Sequence, residues 1–171
     1  WNDLPENMKN EQVRPYYEKL KQKRGSLITK RLFDILVSLV MLILLSWLFL
    51  ILAIAIKVDS HGPVFYRQVR VTTGNRDFRI FKFRTMVNNA DKIGSLVTTG
   101  NDSRITRVGA KIRKCRLDEI PQLLNILKGE MSFVGTRPEV RKYVDRYTDE
   151  MMATLLMPAG VTSLASISFK D

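Results

Sequence analysis

Residues 35–56 run for 22 positions without a charged side chain. As an α-helix that run is about 33 Å long, close to the hydrocarbon thickness of a bilayer. In a chain of 171 residues too little protein remains to bury such a helix on every side, so lipid is its expected neighbour. Its flanks add a second constraint. Lys21, Lys23, Arg24, Lys30 and Arg31 precede the run, and Lys57, Arg67 and Arg70 follow it. Positive flanks favour the cytoplasmic side of a membrane. With both ends wanting one side, a re-entrant hairpin fits better than a straight span. Re-entrance needs a break, yet Leu45-Ser46-Trp47-Leu48 at the middle contains no proline. Ser46 can bend a helix by bonding back to a carbonyl one turn earlier. These residues alone leave re-entrant and spanning forms both open.

The formal charge of +11, from 28 Lys and Arg against 17 Asp and Glu, favours an anionic partner: nucleic acid, anionic lipid or a phosphate-bearing substrate. A single cysteine, Cys115, excludes an internal disulfide and suits a reducing compartment. A single histidine, His61, cannot build a multi-histidine zinc site and reads as a loop residue beside Gly62 and Pro63. No cleavable signal peptide is expected, because the apolar run starts too far in, is too long and lacks a small-residue cleavage pattern. Trp1 in place of an initiating methionine suggests trimming, and the end at Asp171 suggests C-terminal truncation. The expected layout is a polar or amphipathic N-terminal helix over residues 1–26, with Pro15 near a start or kink and one face on solvent or headgroups. A membrane-embedded helix follows over residues 27–58, then a cytoplasmic domain over residues 59–171.

Within that domain, residues 64–71 alternate like a strand, Thr72-Thr73-Gly74-Asn75 reads as a turn, and residues 78–85 form a second strand, so a β-hairpin is expected. Period two places Phe78, Ile80, Lys82 and Arg84 on one face, extending an apolar row into a cationic edge. The same charges could equally be solvated edge-strand residues. A short helix is expected over residues 88–95. A loop over residues 98–103 then caps a basic helix spanning residues 104–115, which carries Arg104, Arg107, Lys111, Arg113 and Lys114 with Arg116 just beyond.

The most informative stretch is Leu117-Asp118-Glu119-Ile120-Pro121-Gln122-Leu123. Ile120, Leu123, Leu124 and Leu127 fall at helical spacing, which places Asp118 and Glu119 at a helix start. Acids at a helix start are favoured by the dipole as ordinary caps. The cap reading fits imperfectly, because Pro121 has no amide to be capped. Adjacent carboxylates among Arg113, Lys114 and Arg116 suit another task, in which one acid attacks phosphorus and its neighbour holds Mg²⁺. Both readings stay open on these residues. Gly129 ends the helix, residues 131–135 form an apolar link, and Thr136-Arg137-Pro138-Glu139 opens a helix expected to reach about residue 156. Arg137 at that start would sit among free backbone donors, as a phosphate ligand. Pro158-Ala159-Gly160 breaks the pattern, and residues 161–169 form a short strand or extended loop.

Taken in order, several motifs resemble those of the bacterial sugar transferase family, the monotopic polyprenyl-phosphate phosphoglycosyl transferases. They are Lys30-Arg31-Leu32-Phe33-Asp34, Asp59-Ser60-His61-Gly62-Pro63-Val64-Phe65, Phe81-Lys82-Phe83-Arg84-Thr85-Met86, the Asp118-Glu119 stretch, Gly129-Glu130-Met131-Ser132-Phe133-Val134-Gly135 and Arg137-Pro138. The resemblance covers residues 30–168. It implies an α+β, mainly helical fold with a re-entrant membrane helix, surface amphipathic helices and a small β-hairpin. It implies Asp118 as nucleophile, Glu119 as Mg²⁺ ligand, and Lys82 and Arg137 on phosphate groups; Arg84, Arg113 and Arg116, from their place among the positive charges, are further candidate phosphate ligands. Where the family has Ser-Pro in its membrane helix, this chain has Ser46-Trp47, which leaves Ser46 as the expected break. The family's Pro-Gly-Ile-Thr-Gly appears as Pro158-Ala159-Gly160-Val161-Thr162-Ser163, a region expected to shape the nucleotide or sugar pocket.

The implied reaction is transfer of a sugar 1-phosphate from a UDP-sugar to undecaprenyl phosphate through an aspartyl phosphosugar, with release of UMP, as a first membrane step of glycan assembly. The implied location is the inner leaflet of a bacterial inner membrane with the catalytic domain facing the cytoplasm. No nucleic acid is expected as partner, and oligomeric state stays open, homodimer included. The rival reading is a membrane-tethered binding protein whose basic surface holds anionic lipid or nucleic acid. It accounts for the charge and the apolar run but not for an acid pair among cations, since carboxylates repel backbone phosphate.

Overall fold

The computed structural model describes residues 1–90, 102–163 and 167–168. The short helix expected over residues 88–95 and most of the loop over residues 98–103 lie outside the described residues, as does most of the tail after residue 163.

Among the described residues no single helix is long and apolar enough to cross a membrane. The apolar run is instead divided between α2 (Arg24–Leu44) and α3 (Ser46–Asp59), which pass that test only as a pair and are bent by 62°. The break falls at Leu45, whose φ of −95° and ψ of 4° leave the helical basin. No proline is involved. The Ser46 hydroxyl donates to the Ile43 carbonyl at 2.8 Å and so competes for an acceptor of the helical ladder. α2 also begins at Arg24, before the expected start at residue 27, and its Lys30, Arg31 and Asp34 bond to the domain below. Ahead of it, α1 (Arg14–Gln22) is short, with Pro15 in its first turn where a missing amide costs nothing.

The hairpin forms β1 (Phe65–Thr72) and β2 (Arg76–Phe83), antiparallel, joined by the 3₁₀ turn Thr73–Asn75. Gly74 takes φ 68° there, a left-handed value that glycine adopts without strain. Register pairs Tyr66 with Lys82, Gln68 with Ile80 and Arg70 with Phe78 on one face. Phe78 and Ile80 of that face enter a core with Leu123, Ile126 and Met131, and Lys82 stands at the end of the same row. The basic helix α4 (Arg107–Lys114) starts later than expected. Thr106 caps it by accepting from the Gly109 amide at 3.0 Å, while Arg104 is held outside by Asp102 at 2.6 Å and by the Ala90 carbonyl at 2.9 Å. A 3₁₀ turn, Leu117–Glu119, then leads to α5 (Gln122–Lys128). The buried positions of α5 are Gln122, Leu123, Asn125 and Ile126, with Leu124 and Leu127 only half-buried. The apolar spacing misplaced that face because it left out two buried polar residues, of which Asn125 bonds to the Phe81 amide, the Arg79 carbonyl and Glu130.

The apolar link is a strand, β3 (Met131–Val134), parallel to β4 (Ala159–Thr162). The long helix expected over residues 136–156 is absent. Residues 137–140 run extended beside β1, with the Val71 amide donating to the Glu139 carbonyl at 2.9 Å. Only α6 (Arg141–Val144) and a 3₁₀ turn, Met151–Leu156, are helical there. Pro138 therefore precedes any helix, and Arg137 lies on extended chain rather than at a helix start.

Both arms of the bent pair are fastened to this domain. On α2, Arg31 donates to the Leu127 carbonyl at 2.8 Å and also to that of Ile126, capping the C-terminal end of α5. The buried Asp34 carboxylate accepts from the Ser132 hydroxyl at 2.7 Å and from Lys30 at 3.3 Å. On α3, Leu52 and Ile56 pack with Phe83 and Ile112, and Asp59 accepts the Val108 amide at 2.9 Å. The other face of the pair is bare. Leu32, Leu36, Leu44, Trp47 and Leu50 are each 62–64% exposed, a continuous apolar surface that water does not support.

Candidate active site

The acid pair owes its position to a turn of backbone. At Arg116 the chain adopts φ 53° and ψ 24°, a left-handed conformation that costs a non-glycine residue roughly 1 kcal/mol. That residue separates α4 from the 3₁₀ turn and swings Asp118 and Glu119 toward β2. From the other side, Asn125 fixes α5 against the same strand. It is fully buried, its carbonyl oxygen accepts the Phe81 amide at 2.8 Å, and its amide donates to Arg79 O at 3.0 Å and Glu130 Oε2 at 2.6 Å. Phe81 precedes Lys82, so the bond that holds the helix also sets the lysine. Lys82 Nζ then meets Glu119 Oε1 at 2.7 Å.

Asp118 opens into a cavity of about 450 Å³. Among the described residues its charged lining consists of Arg67, Arg70, Lys82, Arg84, Arg104, Arg113 and Arg137 against the single acid Asp118. A smaller hollow adjoins, lined by Glu119, Gln122, Ile80, Pro138, Gly160 and Val161 together with three of those cations. Burial raises the Asp118 pKa above its usual 3.8, Lys82 opposes the rise, and the neighbouring Glu119 charge adds to it. An acid so placed carries its charge at a disadvantage unless cations or a bound metal share it. Two adjacent carboxylates beside a cation-lined cavity also suit Mg²⁺. That ion takes one or two protein carboxylates and completes its shell from phosphate oxygens and water, so three converging acids are not required. Among the described residues no such three-acid cluster occurs.

Of the residues singled out in the sequence, Asp118, Lys82, Arg84, Arg113 and Arg137 line the main cavity, and Glu119 the hollow beside it. Arg84 is a wall rather than a reaching arm. It is 5% exposed, and its two terminal nitrogens donate to His61 O at 2.6 Å and Ser60 O at 2.7 Å, closing the loop after α3. Arg116 is not brought to the cavity; it is exposed, and its contribution is its backbone angle. Sequence reading missed Tyr66, Gln68 and Arg70 on β1, which face the cavity with Lys82. Their signal was available, since period two through 66, 68 and 70 opposite Lys82 marks one face. Gly160 and Val161 of the segment that opens at Pro158 line the smaller hollow.

Residues 25–171 match the family described as bacterial sugar transferase. The chain is 49% identical over 141 residues to a UDP-N-acetylgalactosamine-undecaprenyl-phosphate N-acetylgalactosaminephosphotransferase of Aeromonas hydrophila, a match covering 81% of this chain and 33% of that protein. It is 40% identical over 148 residues to a UDP-glucose:undecaprenyl-phosphate glucose-1-phosphate transferase of Klebsiella pneumoniae, covering 84% and 31%. It is 38% identical over 159 residues to the exopolysaccharide production protein ExoY of Sinorhizobium fredii, covering 84% and 70%. The chain thus spans about a third of the first two relatives and over two thirds of the last.

Proposed function

The chain belongs to the bacterial sugar transferase family, and from that premise we propose that it moves a sugar 1-phosphate from a UDP-sugar to a polyprenyl phosphate at a membrane surface. The observation that carries the reading is the composition of the cavity: among the described residues its wall holds one carboxylate, Asp118, and its other charges are positive. A binding surface for phosphate has no use for that acid, whereas a nucleophile for phosphorus needs it there.

An oxygen of Asp118 attacks the β-phosphorus of the donor, the P–O bond to UMP breaks, and UMP leaves with the electron pair. The aspartyl phosphosugar left behind is then attacked at the same phosphorus by a phosphate oxygen of the acceptor. The Asp118–phosphorus bond breaks and the carboxylate is regenerated. Lys82, Arg113 and Arg137 meet the charge that develops on the equatorial oxygens, in a site where water is partly excluded. Mg²⁺ held by Glu119 would neutralise diphosphate charge and orient it for in-line attack. Lys82 occupies Glu119 at 2.7 Å, so it stabilises that carboxylate before substrate arrives.

A covalent intermediate lets a soluble donor and a lipid acceptor use one small site in turn. The bare apolar face of α2 and α3 supports insertion of the bent pair into one leaflet, and the basic flanks support a cytoplasmic side for the site. The sugars in the names of the relatives differ, so the donor is identified by experiment. The purified protein is supplied with undecaprenyl phosphate, Mg²⁺ and each of a panel of UDP-sugars, and UMP is measured. One donor should give acceptor-dependent UMP; no UMP from any donor contradicts the reading.

A further inference from the structure

The two acids of the pair open into different hollows, and three residues line both: Arg70, Lys82 and Arg137. All three are cations, so the partition between Asp118 and Glu119 is itself a positively charged wall. Lys82 has a partner there in Glu119. Arg70 is held differently. Its Nε and one terminal nitrogen donate to Gln68 Oε1 at 3.1 and 2.7 Å, and the other terminal nitrogen donates to Pro138 O at 2.9 Å. A guanidinium has five N–H donors, so a group fixed through three keeps two to present. The same Pro138 carbonyl belongs to the residue after Arg137, so one bond holds both arginines in register. Burial lowers the Arg70 pKa and the nearby Arg137 adds to the effect, while Glu139 and Glu119 oppose it. A guanidinium locked in place beside a second one, half-buried and facing two hollows, is preorganised to bond two oxygens of a phosphate.

Resting on the functional reading above, we propose that Arg70, positioned by Gln68 and paired with Arg137, forms the seat for the phosphate that neighbours the reacting one. In the first displacement that phosphate belongs to departing UMP. The second displacement occurs at the same phosphorus and opposite the same Asp118 oxygen, so the acceptor phosphate must enter where UMP left. One seat therefore serves a nucleotide and a lipid phosphate in succession, and UMP and the acceptor exclude each other from it.

The test uses the whole chain in lipid nanodiscs and three variants, Arg70→Met, Arg70→Lys and Gln68→Leu. UMP and uridine binding are measured by calorimetry. Arg70→Met should weaken UMP roughly 10- to 100-fold, the worth of a charged hydrogen-bonded contact, and leave uridine unchanged. Arg70→Lys and Gln68→Leu should lose less, since one keeps the charge and the other keeps the guanidinium. With donor and acceptor added in sequence, Arg70→Met should slow both formation and consumption of the covalent adduct. UMP affinity within twofold of the parent, uridine weakened as much as UMP, or slowed formation with normal consumption each overturns the shared seat. A parent protein that releases UMP while these variants match it refutes this inference alone. A parent that neither binds nor releases UMP refutes the functional reading beneath it.

Discussion

Asp118 is held where its charge is least comfortable. Burial raises its pKa, so the folded state binds the proton more tightly than the unfolded chain does. The stability this gives is present below the unfolded pKa and lost as pH rises through the folded one. At neutral pH the ionised acid therefore destabilises the protein. Asp118→Asn should abolish turnover yet raise Tm, by roughly 2–4 °C for each kcal/mol relieved, in a thermal melt at pH 7. A variant that loses both activity and stability would mean that Asp118 is structural. The same shift places the acidic limb of the donor half-reaction above the ordinary carboxylate pKa, with rate falling as pH drops. Arg116 offers a second residue-scale test. Its left-handed backbone favours glycine and penalises branching at Cβ. Arg116→Gly should keep stability and turnover, whereas Arg116→Val should lose about 1–2 kcal/mol in chemical denaturation. Equal stability of the two would contradict the backbone role.

At the scale of elements, what matters is which strand is bolted to which helix. Asn125 ties α5 to β2 through bonds to both neighbours of Ile80's row, and its loss leaves the Phe81 amide and Arg79 carbonyl without their buried partner. Asn125→Leu should cost about 1–3 kcal/mol by denaturant melt and lower turnover at saturating donor, because Lys82 loses its register. Much of this was legible in the residues. Strict alternation placed the hairpin to within two residues, and the acid pair followed by Pro121 singled out a stretch that lies at the cavity, although capping and catalysis both stayed open on those residues alone. The failures have physical causes. Apolar spacing over residues 136–156 imitates a helix, but Val144 and Leu155 instead cover Val71 and Met8 in a separate small core. A chain that must run beside β1 to bond the Val71 amide cannot coil there. Arg104 looked like a helix residue until its side chain proved to be held by Asp102. Arg70 looked like a membrane flank because a charged residue in a short strand resembles a solvated edge. Only pairing shows which face it is on.

For the whole molecule, the domain and the bent helix pair form one unit. α2 is anchored through Arg31 and Asp34, and α3 through Leu52, Ile56 and Asp59, to the same body. Both outer ends of the pair should then lie on one side of a bilayer. With Cys115 replaced by serine, Ser26→Cys and Ser60→Cys should both react with a membrane-impermeant maleimide from the cytoplasmic side of inverted vesicles and neither from the opposite side. Reaction of the two from opposite sides would make the pair a span. Arg31, which helps to fasten α2, also caps α5, the helix that follows the 3₁₀ turn carrying Asp118 and Glu119.

The account as a whole stands on a bond between Asp118 and phosphorus. Its most direct measurement is intact-protein mass spectrometry after incubation with the donor and Mg²⁺ and no acceptor, followed by peptide mapping. A mass increase of one sugar phosphate, mapped to Asp118, absent in Asp118→Asn and discharged by adding undecaprenyl phosphate, is the expected result. Full turnover by a protein that never carries that mass, or carries it on another residue, would contradict it.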